Sequence, residues 1–324
     1  MTRAIRLART GSADVLSWEN VDPGAPGDGE VLLRQTAIGV NFIDIYHRTG
    51  LYPIPLPGGL GSEAAGVVEA IGPGVTNFAV GDRVAYAGGP AGAYAEKRVV
   101  PAAILLKVPH AISDKDAAGV LLKGMTAEFL LHRCFRVQTG DAVLFHAAAG
   151  GVGLLACQWL KSIGAIAIGT VSSEEKAALA KRNGCTHTIN YKSENVAERV
   201  REITNGDGVS VVYDSVGKDT WDTSLDCLRR RGTMVSFGNT TGAVAPVNIA
   251  TLAAKGSLYV TRPVLGAYTA TRAELEAISS HLFDAVASGI LRPNVQQVFA
   301  LKDAAEAHRQ LETGGTSGAT VLIA

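Results

Sequence analysis

The sequence predicts an α/β fold: a doubly wound, six-stranded sheet in the middle of the chain, with a mostly β domain built around it. Three observations carry this. The stretch Ala147-Ala148-Ala149-Gly150-Gly151-Val152-Gly153 closes the apolar run Ala142-Val143-Leu144-Phe145. Further apolar runs recur behind it with helical patterns between them. Residues 1 to about 120 are instead rich in Gly, Pro and short β-like runs.

The Ala/Gly stretch has the character of a strand-to-helix turn that receives a dinucleotide. Such a turn needs small residues, because the pyrophosphate approaches the backbone and sits on the helix N-terminus. Read as G-x-G-x-x-G, its three positions are Ala148, Gly150 and Gly153, so the first is an alanine. Gly150 lets backbone reach the phosphates, and Gly153 lets the helix pack closely on the sheet. In a chain with 37 glycines such a cluster is a weak signal alone; the segments behind it decide. Val152, Leu155, Ala156, Trp159, Leu160 and Ile163 recur at helical spacing, and Gly164 fits the helix C-terminus. Ile166–Val171 reads as a buried parallel strand. Strands are predicted near His187–Asn190, Val209–Asp214, Thr233–Phe237 and Leu258–Thr261, and helices near Glu174–Arg182, Val196–Ile203 and Trp221–Leu228. That alternation is a Rossmann domain.

About twenty residues after the glycines, an NAD-specific domain places an Asp or Glu on the ribose 2′-hydroxyl. Here the second strand runs into Ser172-Ser173-Glu174-Glu175-Lys176, with no carboxylate at the strand tip. Ser172 and Glu175 have the spacing of a helix capping box. Lys176, one turn into the helix, can reach back to the tip, where its ammonium and the Ser172 hydroxyl favour a 2′-phosphate. NADPH is therefore expected over NADH. Glu174 weighs the other way, and a solvated helix lysine is the plainer alternative for Lys176.

A chain of 324 residues has room for two domains. Thirty basic residues balance thirty acidic ones, so no whole-protein field recruits nucleic acid or an anionic membrane. The run Arg229-Arg230-Arg231 reads as a helix C-terminal cap. Arg3, Arg6 and Arg9 flank an alternating Ile5 and Leu7 that reads as a strand and lacks the apolar core of a signal peptide. No stretch approaches the roughly 20 apolar residues of a membrane span, and a cytoplasmic location is expected. Cys134, Cys157, Cys185 and Cys227 are scattered, with no C-x-x-C pair, and read as buried free thiols.

In the first 120 residues, Val31–Leu33, Ala65–Val68, Arg83–Tyr86 and Tyr94–Val99 are the β-like runs. Gly39-Val40-Asn41-Phe42-Ile43-Asp44, Gly61-Ser62-Glu63-Ala64-Ala65-Gly66 and Val80-Gly81-Asp82-Arg83-Val84, in that order, resemble the medium-chain dehydrogenase/reductase superfamily. Leu122-Lys123-Gly124-Met125-Thr126, His146–Gly153 and Val212-Tyr213-Asp214-Ser215-Val216-Gly217 narrow the resemblance to the zinc-independent NADPH:quinone oxidoreductases, the zeta-crystallin-like branch. It runs end to end. It implies a GroES-like catalytic domain over residues 1–122, a Rossmann domain over 123–263, and a return to the catalytic domain over 264–324, with the active site in the cleft between them. The returning segment carries Leu275, Ile278, Leu282 and Val286 at helical spacing, then Ala300–His308 as a helix start and Thr320–Ile323 as a closing strand.

In zinc members of that superfamily, a Cys stands at the position of Asn41 and a His at that of Ser62. Neither residue here is a usual zinc ligand. Gly88 to Pro101, the region of the four-cysteine structural lobe, contains no cysteine. No metal is expected. A quinone fits such a site, being electron-poor enough to accept hydride without a Lewis acid; the protein need only hold it against the nicotinamide and exclude water. The resemblance puts Tyr46 and Tyr52 beside Asn41 as lining residues with a phenol donor; a core phenol is the alternative for each. His47 is set aside because it sits beside an exposed-looking Arg48. For the cofactor, the resemblance implies Asn41, Thr126, Phe237, Gly238, Asn239, Thr240 and Thr241 around the nicotinamide and its ribose, and Ser215 among the contacts. It implies Gly150, Gly151 and Val152 at the pyrophosphate, and Ser172, Lys176 and Tyr191 at the adenosine end. Many relatives carry a basic residue near the closing strand; Gly314–Ala319 supplies none.

NADPH-dependent quinone reduction is thus the leading expectation. Reduction of the double bond of enals or enones is a second, since both acceptors are planar conjugated carbonyls. A crystallin-like structural or RNA-binding role is a third, opposed by the neutral charge balance. A homodimer is expected through Gly256–Thr261, the sixth sheet strand, whose apolar edge invites pairing across a two-fold axis.

Overall fold

In a computed structural model describing residues 1–324, the chain divides into two units: Met1–Met125 with Thr269–Ala287 and Pro293–Ala324, and Thr126–Tyr268 with Ser288–Arg292. In the first unit, β1 (Thr2–Leu7) pairs with β2 (Leu16–Val21) and β4 (Gly58–Gly59). A seven-stranded sheet holds β3 (Glu30–Val40), β5 (Glu63–Ile71), β6 (Arg83–Ala87), β7 (Lys97–Pro101) and β8 (Leu106–Lys107) with two strands from the end of the chain. β3 is its spine. Val31, Leu33, Gln35 and Ala37 alternate inward, and every residue from Ala37 to Val40 is buried. Its last residues run antiparallel to β5 on one side, Ile38 opposite Ala64. Asn41 follows directly as the N-cap of helix α1 (Phe42–Thr49), which Gly50 closes in the left-handed conformation.

The middle of the chain starts with α2 (Asp114–Phe129), which passes from one unit into the next. Then β9 (Ala142–Phe145), α3 (Gly151–Ile163), β10 (Ile166–Val171), α4 (Glu174–Arg182), β11 (His187–Asn190), α5 (Val196–Ile203), β12 (Val209–Asp214), α6 (Trp221–Cys227), β13 (Leu228–Ser236), α7 (Ala250–Ala254), β14 (Tyr259–Thr261) and α8 (Leu265–Tyr268) follow in order. The six strands are all parallel and ordered β11-β10-β9-β12-β13-β14. This is the dinucleotide-binding order, with its reversal between β9 and β12. Every residue of β12 is buried, as a strand covered on both faces requires.

The remaining chain supplies α9 (Arg272–Ala287), β15 (Val295–Ala300), α10 (Ala304–Glu312) and β16 (Ala319–Ile323). Leu275, Ile278 and Leu282 form the buried stripe of α9. β16 lies antiparallel to β3, Thr320 opposite Val40, so the Asn41 strand is held on both edges. Fully burying each of Leu33, Ile38, Val321 and Leu322 there contributes roughly 1.5–3 kcal/mol.

Four expectations need correction. The Arg229-Arg230-Arg231 run does not cap a helix; it lies inside β13, which starts at Leu228. Arg201 does that work, donating to the carbonyls of Asp226 at 2.8 Å and Leu228 at 3.0 Å. Arg48 is fully buried rather than exposed. The run at Tyr94–Val99 becomes strand only from Lys97. Cys157, Cys185 and Cys227 are buried, but Cys134 is only half so. No helix is long and apolar enough to cross a membrane.

Candidate functional site

At the glycine turn, Ala147 adopts φ +54° and its carbonyl accepts from Gly150 at 2.9 Å. A Cβ on Gly153 would lie 2.4 Å from the Ala147 carbonyl oxygen and 2.7 Å from that of Ala148, both backbone atoms that cannot yield. A Cβ on Gly150 would meet nothing nearer than 3.2 Å. Gly153 therefore packs the helix, and Gly150 keeps the approach to it open. The amides in the first turn of α3, Gly151 and Val152 among them, have no helical acceptor and point out of the helix N-terminus, where a pyrophosphate is favoured. The turn fits the cofactor.

Beneath it runs a chain of side chains that the motif did not announce. Thr170 Oγ1 accepts from the Ala147 amide at 3.2 Å and lies 3.0 Å from His146 Nδ1. His146 Nε2 is 3.0 Å from Ser224 Oγ, which donates to Asp214 Oδ2 at 2.8 Å. Each donor finds one acceptor if His146 carries its proton on Nε2. Burial pushes the His146 pKa down, which keeps the ring neutral. Asp214 also accepts from Thr220 Oγ1 at 2.7 Å and from the amides of Val216 and Gly217 at 2.7 and 3.0 Å. The tips of β9, β10 and β12 are thereby tied together. Asp214 O then accepts from Phe237 N at 2.8 Å, and Ser215 O from Thr240 N at 3.2 Å. Ser215 and Phe237 to Thr241 thus form one loop pair at the carboxyl edge of the sheet. Thr126 stands on the last turn of α2.

The helix cap at the adenosine end is Ser173, whose Oγ accepts from Lys176 N at 3.3 Å, and not Ser172 with Glu175. Adjacent serines can each fill that role, and the β10 tip sets the register one residue later. The Ser172 hydroxyl is then not spent on the helix. Desolvation, followed by the neighbouring charge of Lys192, lowers the Lys176 pKa. Lys192 is a second cation that the sequence did not flag. Tyr191, next to Lys192 in the chain, is held by its amide on Val171 O at 3.1 Å and is 54% exposed.

In the first unit, Asn41 Nδ2 donates to Glu63 Oε2 at 2.9 Å and reaches the Gly39 carbonyl at 3.4 Å. Its amide hydrogens are thereby directed inward, and Oδ1 is the acceptor the side chain can present. The Glu63 carboxylate passes so close under β3 that a Cβ on Gly39 would fall 2.1 Å from its oxygen; only glycine fits. Glu63 also accepts from Leu122 N at 2.6 Å and from Lys123 Nζ at 3.2 Å, in a buried ion pair. Asp44 is completely buried. Its Oδ2 accepts from Asn41 N at 2.9 Å and Tyr94 OH at 3.0 Å, and its Oδ1 from Ser62 Oγ at 3.0 Å. Desolvation outweighs these hydrogen bonds and lifts its pKa to about 7. Tyr94 OH lies 3.0 Å from His308 Nε2, and burial, with the charge of Arg48, pushes His308 down to about 3. Arg48 pairs with Glu312 through Nη2. Tyr46 is buried and meets the half-buried Tyr52 edge-on, with centroids 5.2 Å apart. No group of three or more His, Cys, Asp or Glu side chains is placed to hold a metal.

Comparison with known proteins gives the family. A family model described as alcohol dehydrogenase GroES-like domain matches residues 27–110, and one described as zinc-binding dehydrogenase matches residues 151–280. The chain is 53% identical to a quinone oxidoreductase of Pseudomonas aeruginosa, over 100% of both chains. It is 49% identical to a 2-haloacrylate reductase of a Burkholderia species, over 100% of this chain and 99% of that one. Among solved structures, quinone oxidoreductase of Escherichia coli complexed with NADPH superposes with a TM-score of 0.98 at 49% identity, covering 99% of this chain and 100% of that one. The chain belongs to the medium-chain dehydrogenase/reductase superfamily, within the branch of its quinone oxidoreductases.

Proposed function

We propose that this protein is an NADPH-dependent quinone reductase that works without a metal. The observation that carries this is full-length likeness, at 53% identity, to a chain named quinone oxidoreductase, together with a 0.98 TM-score to one solved with NADPH. NADPH, when bound, supplies the hydride. The α3 N-terminus, at Gly150, Gly151 and Val152, receives the pyrophosphate. Ser172, Lys176 and Tyr191, with Lys192, hold the 2′-phosphate, a dianion that two lysines favour and a ribose hydroxyl does not require. Asn41, Thr126, Ser215 and Phe237 to Thr241 position the nicotinamide end. Asn41 does so as an acceptor, because its amide hydrogens are committed to Glu63 and Gly39. Tyr46 and Tyr52 line the acceptor position, where flat apolar faces exclude water and orient the ring. A panel of quinones and conjugated enals, assayed for NADPH oxidation, tests this. Quinone turnover well above enal turnover is expected.

The 2-haloacrylate reductase relative favours a second reading, reduction of an activated double bond at the same site. Enal turnover above quinone turnover would install it.

The protein acts in the cytoplasm as a homodimer. β14 is the edge of the six-stranded sheet and pairs only with β13, while Tyr259 is 62% exposed. An open apolar edge of this kind is covered by a second copy across a two-fold axis. Light scattering at micromolar concentration should give twice the chain mass, and a monomer mass would contradict it.

A further inference from the structure

Reducing a quinone by hydride leaves a hydroquinone anion, and a proton must reach its oxygen. We propose that Ser62 delivers that proton and that Asp44, hydrogen-bonded behind it, resupplies the serine. This deepens the quinone-reductase reading and rests on it.

The hydrogen-bond pattern around Asp44 singles out one oxygen for a proton. Oδ2 is met by the Asn41 amide, which can only donate, and also by the Tyr94 hydroxyl, so a proton is disfavoured on that oxygen. Oδ1 has the Ser62 hydroxyl as its partner, a group that can both donate and accept. A protonated Asp44 therefore keeps both bonds at Oδ2 and reverses only the bond to Ser62, at an unchanged 3.0 Å. That reversal releases the serine hydrogen from Asp44 and leaves it free to be donated elsewhere. Asp44 joins the serine to Asn41: it takes the Asn41 amide on one oxygen and the Ser62 hydroxyl on the other, so Ser62 lies one carboxyl group away from the residue assigned to the nicotinamide end. Burial, which lifts Asp44 to about 7, keeps its proton available near neutral pH. Ser62, Tyr94 and Lys123 act on Asp44, which in turn acts on Tyr86, while Glu63, Arg48 and His308 surround its partner Tyr94.

The step balances. The hydride from NADPH brings two electrons to the quinone. The Ser62 O–H bond breaks as its proton bonds to the hydroquinone oxygen, and the Asp44 Oδ1–H bond breaks as its proton passes to Ser62 Oγ. Asp44 is left as a carboxylate, and water returns a proton through Ser62 after product leaves. One NADPH, one proton and one quinone give NADP⁺ and one hydroquinone.

Steady-state quinone reduction by the wild type and by the Ser62→Ala, Ser62→Thr and Asp44→Asn variants tests this. General acid catalysis is typically worth 10²–10⁴-fold, so Ser62→Ala and Asp44→Asn should each lower kcat by about 100-fold. KM for NADPH and its affinity by fluorescence titration should not move, and Ser62→Thr, which keeps the hydroxyl, should restore most of the rate. The wild-type rate should fall as pH rises through about 7, where Asp44 loses its proton, and this limb should vanish in Asp44→Asn. If that variant fails to fold, Ser62→Ala still decides. Turnover by the wild type with an unaltered kcat and pH limb in Ser62→Ala overturns the relay alone. No turnover by the wild type with any quinone overturns the quinone reading and the relay with it.

Discussion

The two units each bury a chain of polar side chains that includes a histidine and an aspartate, yet the chains end differently. In the second unit, His146 passes through Ser224 to Asp214, and Asp214 spends its remaining capacity on Thr220 and on the amides of Val216 and Gly217. Every link is used and the ends are backbone. In the first unit, His308 passes through Tyr94 to Asp44, and Asp44 ends on the hydroxyl of Ser62. His308 Nδ1 and two nitrogens of Arg48 are buried there with no partner. A network closed on backbone can only hold a shape. One that ends on a hydroxyl, around a carboxyl lifted to about 7, can hold a proton and release it. Under the proposed function the difference sorts the labour: the unit assigned to the cofactor is fixed, and the one assigned to the acceptor is titratable.

The hardest blow to this contrast is Asp214→Ala, which strands four donors in a buried site. Leaving a buried donor unmet costs about 1–3 kcal/mol, so a loss of at least about 3 kcal/mol in urea unfolding is expected, along with weaker NADPH binding. A loss under about 1 kcal/mol would mean that the closed network is not what holds the loops. Next in size is Lys176→Ala. A charge-assisted hydrogen bond contributes roughly 1.5–3 kcal/mol, and partial exposure puts the effect at the lower end, about tenfold in NADPH affinity. NADH affinity should barely change, and added salt should shrink the difference. Equal weakening of both cofactors would move Lys176 from the 2′-phosphate to the fold.

The last effect concerns pH. Asp44 is raised to about 7 from 3.8, so its contribution to stability is complete below about 3.8 and is lost as pH rises toward 7. His308 is lowered from 6.5 to about 3, so its contribution is complete above about 6.5 and is lost as pH falls toward 3. Between about pH 4 and 6.5 the folded and unfolded states hold one proton each on this pair, and the two slopes cancel. Asp44→Asn removes one of them. Relative to the wild type, the variant should then lose up to about 1.4 kcal/mol per pH unit as pH is lowered across that window. Parallel stability curves would show that the pair does not titrate in opposition.

Much of the second unit was legible because its signals are local. Val152, Leu155, Trp159 and Ile163 announce α3, and the strand and helix order of the sheet follows from periodicity along the chain. The cap at Ser173 was missed by one residue because Ser172 offers the same chemistry. α2, which runs from the first unit into the second, has Ala117, Ala118, Val120, Leu121, Met125 and Ala127 buried on several of its faces, so it has no single apolar stripe for the sequence to display. The acceptor-side network is farther out of reach. Tyr94 lies 50 residues from Asp44 and 214 from His308. Only the spacing of Ala304, Ala307 and His308 on α10 hinted that this histidine faces inward. A charged Arg48 looked exposed because lone arginines usually are; its partner, Glu312, is 264 residues away.

The antiparallel bond between β16 and β3 has a consequence for how the protein is made. Residues 126–268 emerge as one continuous stretch and can fold while synthesis continues, as domains generally do. The strand leading to Asn41 is made early but lacks its partner until residues 319–323 have been translated, and His308 and Glu312 arrive only shortly before. Between the making of residue 268 and that of residue 319 the nascent chain therefore carries a nearly completed second unit and an open strand edge in the first, the kind that recruits wrong partners. Chains terminated before residue 319 should retain the former and aggregate through the latter.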